Sequence, residues 1–319
     1  MGYDFKWIQP NMSLYNVNPN CQYPISILNS GNLAIDFYKY AKDFFEAAEC
    51  VVHYLGEEVA VKYDIAKLDI WYFAMIYLYR QSLELILKAN IFQVVVSDGE
   101  RKEIIGEIRH DLKQGYDKLL ELKNLEFTEN NNTNWLWEFL TDISRIDRES
   151  DMFRYPFGNN LKVLFDKQTH ISLVATHDNM NRAYDILRGL YDTGNFSEQE
   201  YEIHLPQLII EGGDYYQQSV VGYKYAERSF YPYYSSYEEV GNFLRDKILE
   251  DNKKEYFMPM CYMYRNAVEL GLKRIIVESS HIERAKALKV LQNIAYLVFG
   301  IVLLMKFINI LIYLRMTQH

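Results

Sequence analysis

Tyr77-Leu-Tyr-Arg-Gln-Ser-Leu-Glu-Leu-Ile-Leu-Lys88 returns 185 residues later as Tyr262-Met-Tyr-Arg-Asn-Ala-Val-Glu-Leu-Gly-Leu-Lys273. Seven of the twelve positions are identical, including the Arg, the Glu and the Lys. Chance likeness between helices yields scattered Leu matches, so the matched charges point to internal duplication. Each copy follows a shorter stretch of helical pattern, 34–55 before the first and 236–250 before the second.

The charges are spaced i, i+4, i+8. Arg80, Glu84 and Lys88 therefore share one helix face, and Arg265, Glu269 and Lys273 do the same. The rest of the first helix is apolar, with Trp71, Phe73, Met75, Ile76, Leu83 and Ile86. A charged stripe on so apolar a helix belongs at a groove or helix seam, since burying it unpaired is expensive. Two readings follow: a structural ion-pair ladder, or a ligand-binding stripe in which Arg and Lys hold an anion and Glu orients them.

Outward from this helix the pattern stays helical. The segment 65–96 is broken by Ser97-Asp98-Gly99. Helices are predicted over roughly 100–125, over Trp135–Ile146 and over about 161–192, with loops at Asn130–Asn132 and Asp151–Asn160. Residues 200–235 carry Pro206, Gly212-Gly213 and Pro232 and two β-prone runs, Gln207–Ile210 and Ser219–Tyr223. Helical pattern resumes at 236–250 and 255–289. The expected fold is all-α: tandem antiparallel helical bundles joined by an irregular, slightly β-prone connector. Its parts are an irregular lead-in (1–33), a bundle (34–195), the connector (196–235), a second, incomplete unit (236–289) and an apolar tail (290–319).

The chain has 319 residues, is 49% apolar and carries a net charge of −9. It can build a real core, and its overall field disfavours coating by polyanions, although a local basic groove stays open. Three distant cysteines, Cys21, Cys50 and Cys261, contain no Cys-x-x-Cys pair; a disulfide framework and a structural zinc are not expected, and a reducing, cytoplasmic setting is. The start lacks the charged and apolar regions of a secretory signal. There is no Gly-rich phosphate loop, no His-Glu-x-x-His and no Ser elbow. His170 and His177 lie seven apart on predicted helix, a spacing read as structural. No metal or cofactor is expected.

Two further features accompany the first copy. Arg109-His110-Asp111-Leu112 opens a helical run, with His110 as a cap neighbour, a core group or an acid/base. Arg154 sits before Tyr155-Pro156 on a stiffened loop, suited to an anchoring role or to a salt bridge with Glu84 or a neighbouring carboxylate.

The order of these elements resembles the HEPN superfamily. The residues that carry the resemblance are the Tyr-Arg-x-x-x-Glu-Leu-x-Leu-Lys helix, then His110-Asp111-Leu112, then Phe153-Arg154-Tyr155-Pro156. It covers 34–192 and part of 236–289. The resemblance implies an antiparallel bundle, often a homodimer, acting as an RNase or as a nucleotide-, RNA- or partner-binding protein in bacterial defence and toxin–antitoxin systems. Ribonuclease members carry Arg, a polar residue and then His. Here Arg80-Gln81 and Arg265-Asn266 supply the start, but Leu85-Ile86-Leu87 and Leu270-Gly271-Leu272 stand where the His belongs. Arg274 and His281 have a related spacing, but Ile275 is not polar. The expected function is therefore binding, with Arg80, Glu84, Lys88, Arg265, Glu269 and Lys273 as ligand residues. The alternatives are a metal-independent endoribonuclease using His110, Arg154 and Arg80, and a structural, membrane-attached interaction protein.

The membrane reading comes from residues 294–314, whose single charge is Lys306. They are long enough to span a bilayer, with Arg284, Lys286 and Lys289 on the cytoplasmic side. A core helix of the second unit is a second reading. The third is a frameshift: shifted by two bases from Gln292, the permitted codons include Lys-His-Ser-Ile-x-Gly-Leu-Trp, restoring a His and Leu where the repeat lacks them.

Overall fold

The computed structural model describes residues 30–125, 131–156, 165, 167–196, 199–201, 204–222 and 230–276. The expectations for residues 277–319, among them the spanning segment 294–314, lie outside the described residues. Among those described, no helix is long and apolar enough to cross a membrane.

The fold is all-α, as expected, with one small sheet. The elements are α1 (Leu33–Tyr54), α2 (Ile65–Val94), α3 (Asp98–Ile108), α4 (Leu112–Lys123), α5 (Asn131–Asp147), β1 (Thr169–Ser172), α6 (Leu173–Thr193), β2 (Gln218–Val221), α7 (Tyr231–Glu250) and α8 (Phe257–Arg274). Helix α2 is the centre. It is apolar nearly all round, which is the pattern of a helix surrounded by others, and α1, α4, α6 and α7 pack on it. Its start is fixed by Asp64, whose carboxylate accepts from the Lys67 N–H at 3.2 Å. Helix α1 presents Ala41, Phe44, Ala47, Ala48 and Val51, all buried; three alanines in that face allow the two helix axes a close approach.

The duplication has a counterpart in space. The hairpin α7–α8 packs against α1–α2, and both belong to one hydrophobic core. The first residues of the two repeats make reciprocal contacts. Phe44 of α1 meets the Tyr262 ring edge-on at 5.3 Å, and Tyr237 of α7 meets the Tyr77 ring edge-on at 5.7 Å. Taking Phe44 with Tyr237, the pairs Ala47/Val240, Ala48/Gly241 and Val51/Leu244 also match in burial. The two hairpins thus meet through equivalent positions of the repeat. The correspondence also breaks locally. The Ala74 N–H donates to Ser236 Oγ at 2.9 Å, whereas the matching position in α8 is Pro259, which has no N–H.

Several expected boundaries shift. The helix expected over 100–125 is two, because Arg109 takes φ 45° and Asp111 caps α4 by accepting from Gln114 N–H at 3.2 Å. The helix expected from about 161 begins only at Leu173. Ser172 caps it, accepting from Ala175 N–H, and the β-prone Thr169–Ser172 pairs antiparallel with Gln218–Val221. Of the two β-prone runs in the connector, Ser219–Tyr223 overlaps that strand; Gln207–Ile210 is no strand, although Ile210 still accepts from Ser172 N–H. Beyond Tyr54 the chain does not break at Gly56, a residue type that commonly ends helices, but winds on as a π-turn over Leu55–Val59.

Candidate functional site

Glu84 and Glu269 are each the hub of a charge cluster, and the two clusters differ. At Glu84 the side chain is 5% exposed and Arg80 is 2% exposed. Arg80 Nη1 donates to Glu84 Oε2 at 3.1 Å, and Nη2 donates to the carbonyls of His110 (2.6 Å) and Asp147 (3.1 Å). Its Nε lies 2.9 Å from Asp147 Oδ2, an ion pair bent away from good hydrogen-bond geometry. Every face of the guanidinium is thereby engaged by protein. Lys88 Nζ donates to Glu84 Oε1 at 2.6 Å, and His110 Nδ1 lies 3.1 and 3.2 Å from the two Glu84 oxygens. Burial alone would raise the Glu84 carboxyl, but His110, Lys88 and Arg80 outweigh it and hold the group far below the usual carboxylate range.

Asp147 ends α5, and its Oδ1 accepts from the N–H groups of Asp151 (2.8 Å) and Met152 (2.9 Å). It thereby sets the path of the segment that follows. The Phe153 carbonyl accepts from the Tyr237 hydroxyl at 3.1 Å. Arg154 and Tyr155 then reach the second hub: Arg154 Nη2 lies 3.5 Å from Glu269 Oε2, and the Tyr155 hydroxyl donates to Glu269 Oε1. Lys273 Nζ donates to the same oxygen at 2.7 Å and lies 3.7 Å from the Tyr155 ring centre. Arg265 Nη2 is 4.0 Å from Glu269, with its side chain 29% exposed. Three cations thus surround one carboxylate. Burial, with the like charges of Arg154 and Arg265, lowers the Lys273 pKa despite its pairing with Glu269. Glu269 is lowered too: burial opposes this, but Lys273 and Arg154 prevail. Beside the cluster, Arg154 Nε and both amide atoms of Asn266 are buried without hydrogen-bond partners.

The expected stripes therefore form as stripes. Arg80, Glu84 and Lys88 act as a ladder closed by His110 and Asp147, while Arg265, Glu269 and Lys273 are completed by Arg154 and Tyr155. Of the three candidate catalytic groups, Arg80 and His110 are neighbours and Arg154 is bound into the other cluster. The His110 side chain is 54% exposed. Nothing in the sequence pointed to Asp147, because its partner lies 67 residues away on another helix.

A third cluster links Glu49, His177, Asp178 and His204. His177 Nε2 is 3.2 Å from Glu49 and Nδ1 is 2.9 Å from Asp178, which is 3.0 Å from His204 Nε2. The hydrogen bond to Glu49 leads in raising the His177 pKa. His170 sits on β1 instead, beside Gln168. Among the described residues no group of three or more His, Cys, Asp or Glu side chains could hold a metal ion. Comparison of the chain with protein-family models, with curated proteins and with solved structures finds no match.

Proposed function

We propose that the protein is a binding protein for an anionic ligand, a nucleotide or an RNA end, and that the second repeat rather than the first provides the site. The observation that carries this reading is the convergence of Arg154, Arg265 and Lys273 on the single carboxylate Glu269. Phosphate oxygens suit such a cluster: guanidinium forks bind them in two-point fashion and the lysine adds a point charge. Tyr155, whose ring packs against Arg154 and Lys273, holds both cations beside Glu269. The first repeat has spent its arginine on Glu84, Asp147 and two carbonyls. A role in bacterial defence, as the HEPN resemblance implies, is part of the same proposal.

The test is fluorescence anisotropy with a 5′-phosphorylated, fluorescein-labelled single-stranded RNA, with ATP as competitor. Arg265→Ala combined with Lys273→Gln should weaken binding at least about tenfold, as loss of two charge-assisted contacts predicts, while Lys62→Ala leaves it unchanged. Equal binding by all three proteins would sink the proposal.

A second reading, metal-independent RNA cleavage, draws on His110, a half-exposed imidazole oriented by Glu84. Cleavage of the same RNA in EDTA, abolished by His110→Ala, would establish it over simple binding.

A further inference from the structure

A cavity of about 790 Å³ lies in the seam between α1 and the end of the second hairpin's α7. One wall is a stripe of α1 at three- and four-residue spacing, with Asp43, Glu46, Cys50 and Tyr54. Phe243 of α7 and Tyr256, just before α8, form the facing wall. Six carboxylates line the cavity, and five of them have partners. Lys42 lies 3.6 Å from Glu46, His53 3.8 Å from Glu57, Lys62 3.0 Å from Glu58, Lys253 3.5 Å from Glu255 and His177 3.2 Å from Glu49. The sixth, Asp43, is 7% exposed and makes no hydrogen bond or ion pair among the described residues. Lys39, one turn earlier on α1, is exposed and does not pair with it, and Lys247 is held by Asp251 at 2.9 Å.

The repeat explains why this one carboxylate is left over. With Phe44 matched to Tyr237, Asp43 stands where Ser236 stands in α7. Ser236 accepts from the Ala74 N–H, and the counterpart of Ala74 is Pro259, which has no N–H to give. Asp43 thus occupies an acceptor position whose donor is missing. A buried carboxylate without a partner costs free energy until a proton or a cation meets it. Burial pushes the Asp43 carboxyl up to about 7; Lys39 opposes the rise, and Glu46 and Glu255 add to it.

The chemistry of the missing partner follows from the walls. Among the described residues no group of His, Cys, Asp or Glu side chains could hold a metal ion, so the fitting cation is an organic one. The rings of Tyr54 and Phe243 lie 4.8 Å apart. They already draw ammonium groups, with Lys67 and Lys247 Nζ at 5.8 and 5.7 Å from their respective ring centres. We propose that this seam binds a small organic amine, an ammonium group carried on an apolar body, with Asp43 as its counter-ion and Tyr54, Phe243 and Tyr256 around the body. Aromatic walls with one placed charge are the usual construction of a small-molecule site. The site uses no residue of the Glu84 or Glu269 clusters and does not depend on what they bind.

The probe is phenethylamine, titrated into the full chain by isothermal calorimetry, with phenethyl alcohol as its uncharged counterpart. The amine should bind saturably, at one site per chain, and at least about tenfold more tightly than the alcohol, as a charge-assisted contact predicts. Asp43→Asn should remove at least about tenfold of the amine's affinity with unchanged circular dichroism. Asp98→Asn deletes the same charge from a side chain that is 91% exposed and outside the cavity, and should leave binding as it was. Equal binding of amine and alcohol overturns the proposal without recourse to any variant. So does indifference to Asp43→Asn, or an equal loss in Asp98→Asn, which would reduce the effect to net charge. Displacement of the amine by equimolar magnesium chloride would also overturn it, making the cavity a simple counter-ion site.

Discussion

Arg80 and Arg265 stand at the same place in a repeated helix, each one turn before a buried glutamate, yet one is sealed in the core and the other reaches solvent. The difference is in what surrounds each helix. Around α2, the α3–α4 junction brings in the His110 carbonyl and α5 brings in Asp147, so Arg80 is enclosed and its charge balanced. Around α8, the segment after α5 supplies Arg154 and Tyr155, adding a cation where the first copy received an anion. Helices that share one Arg-Glu-Lys face thus form an enclosed ion-pair ladder in one setting and a cationic cluster in the other. The repeated residues specify a charged face; the partner elements decide its use.

The sharpest way to break this comparison is to remove the two arginines in turn. Arg80→Ala strips Asp147 of its buried counter-charge and Glu84 of one of its three cationic neighbours, and should cost about 3–5 kcal/mol in urea unfolding, the range for stripping one partner from a buried pair. A loss under about 1 kcal/mol would mean that the ladder is not structural. Next in size is the seam inside each hairpin. Ala48 carries a methyl group on α1, whereas its counterpart Gly241 has no room for one: an added Cβ would stand 2.9 Å from the Tyr264 ring and 3.3 Å from Met263 Cβ. Gly241→Ala should therefore destabilise by about 1–3 kcal/mol through overpacking, measurable by thermal unfolding.

The glutamates extend the comparison to pH. Both carboxyls are held below their ordinary 4.5, Glu84 by the larger margin. Groups with lowered folded pKa contribute stability that is complete above the unfolded value and is lost as pH falls through the folded one. Stability between pH 5 and pH 2 should thus fall less steeply in Glu84→Gln than in the parent, with a smaller flattening in Glu269→Gln. Equal slopes in all three proteins would contradict the assignment. The smallest expected effect is that of Arg265→Ala on folding: at a partly exposed position, its loss should stay within about 1 kcal/mol, while its effect on RNA affinity is the large one.

Much of the fold was legible because it rests on periodicity. The apolar face of α1, the all-round apolarity of α2 and the doubled Arg-Glu-Lys spacing can be read without coordinates. Local caps were legible in principle: Asp111 three residues before Gln114 and Ser172 three before Ala175 both mark helix starts, and helical-looking pattern on either side obscured them. The partners of the stripes were not legible. Arg154 is 115 residues from Glu269 and Asp147 is 67 from Arg80, and no spacing rule connects side chains brought together by the packing of different helices. The π-turn is a further example, since Gly56 reads as a stop signal, but the chain winds on.

The segment from Asp147 to Tyr155 begins in one cluster and ends in the other. Its first carboxylate neutralises Arg80, its middle carbonyl takes the Tyr237 hydroxyl, and its last two side chains complete Glu269. The second hairpin is consequently not a portable unit. Excised alone, α7–α8 would keep its repeat signature and forfeit two of the groups that hold its buried glutamate. Tyr237 on the Phe153 carbonyl, and Tyr155 and Arg154 on Glu269, make each part of the chain complete the packing of the other.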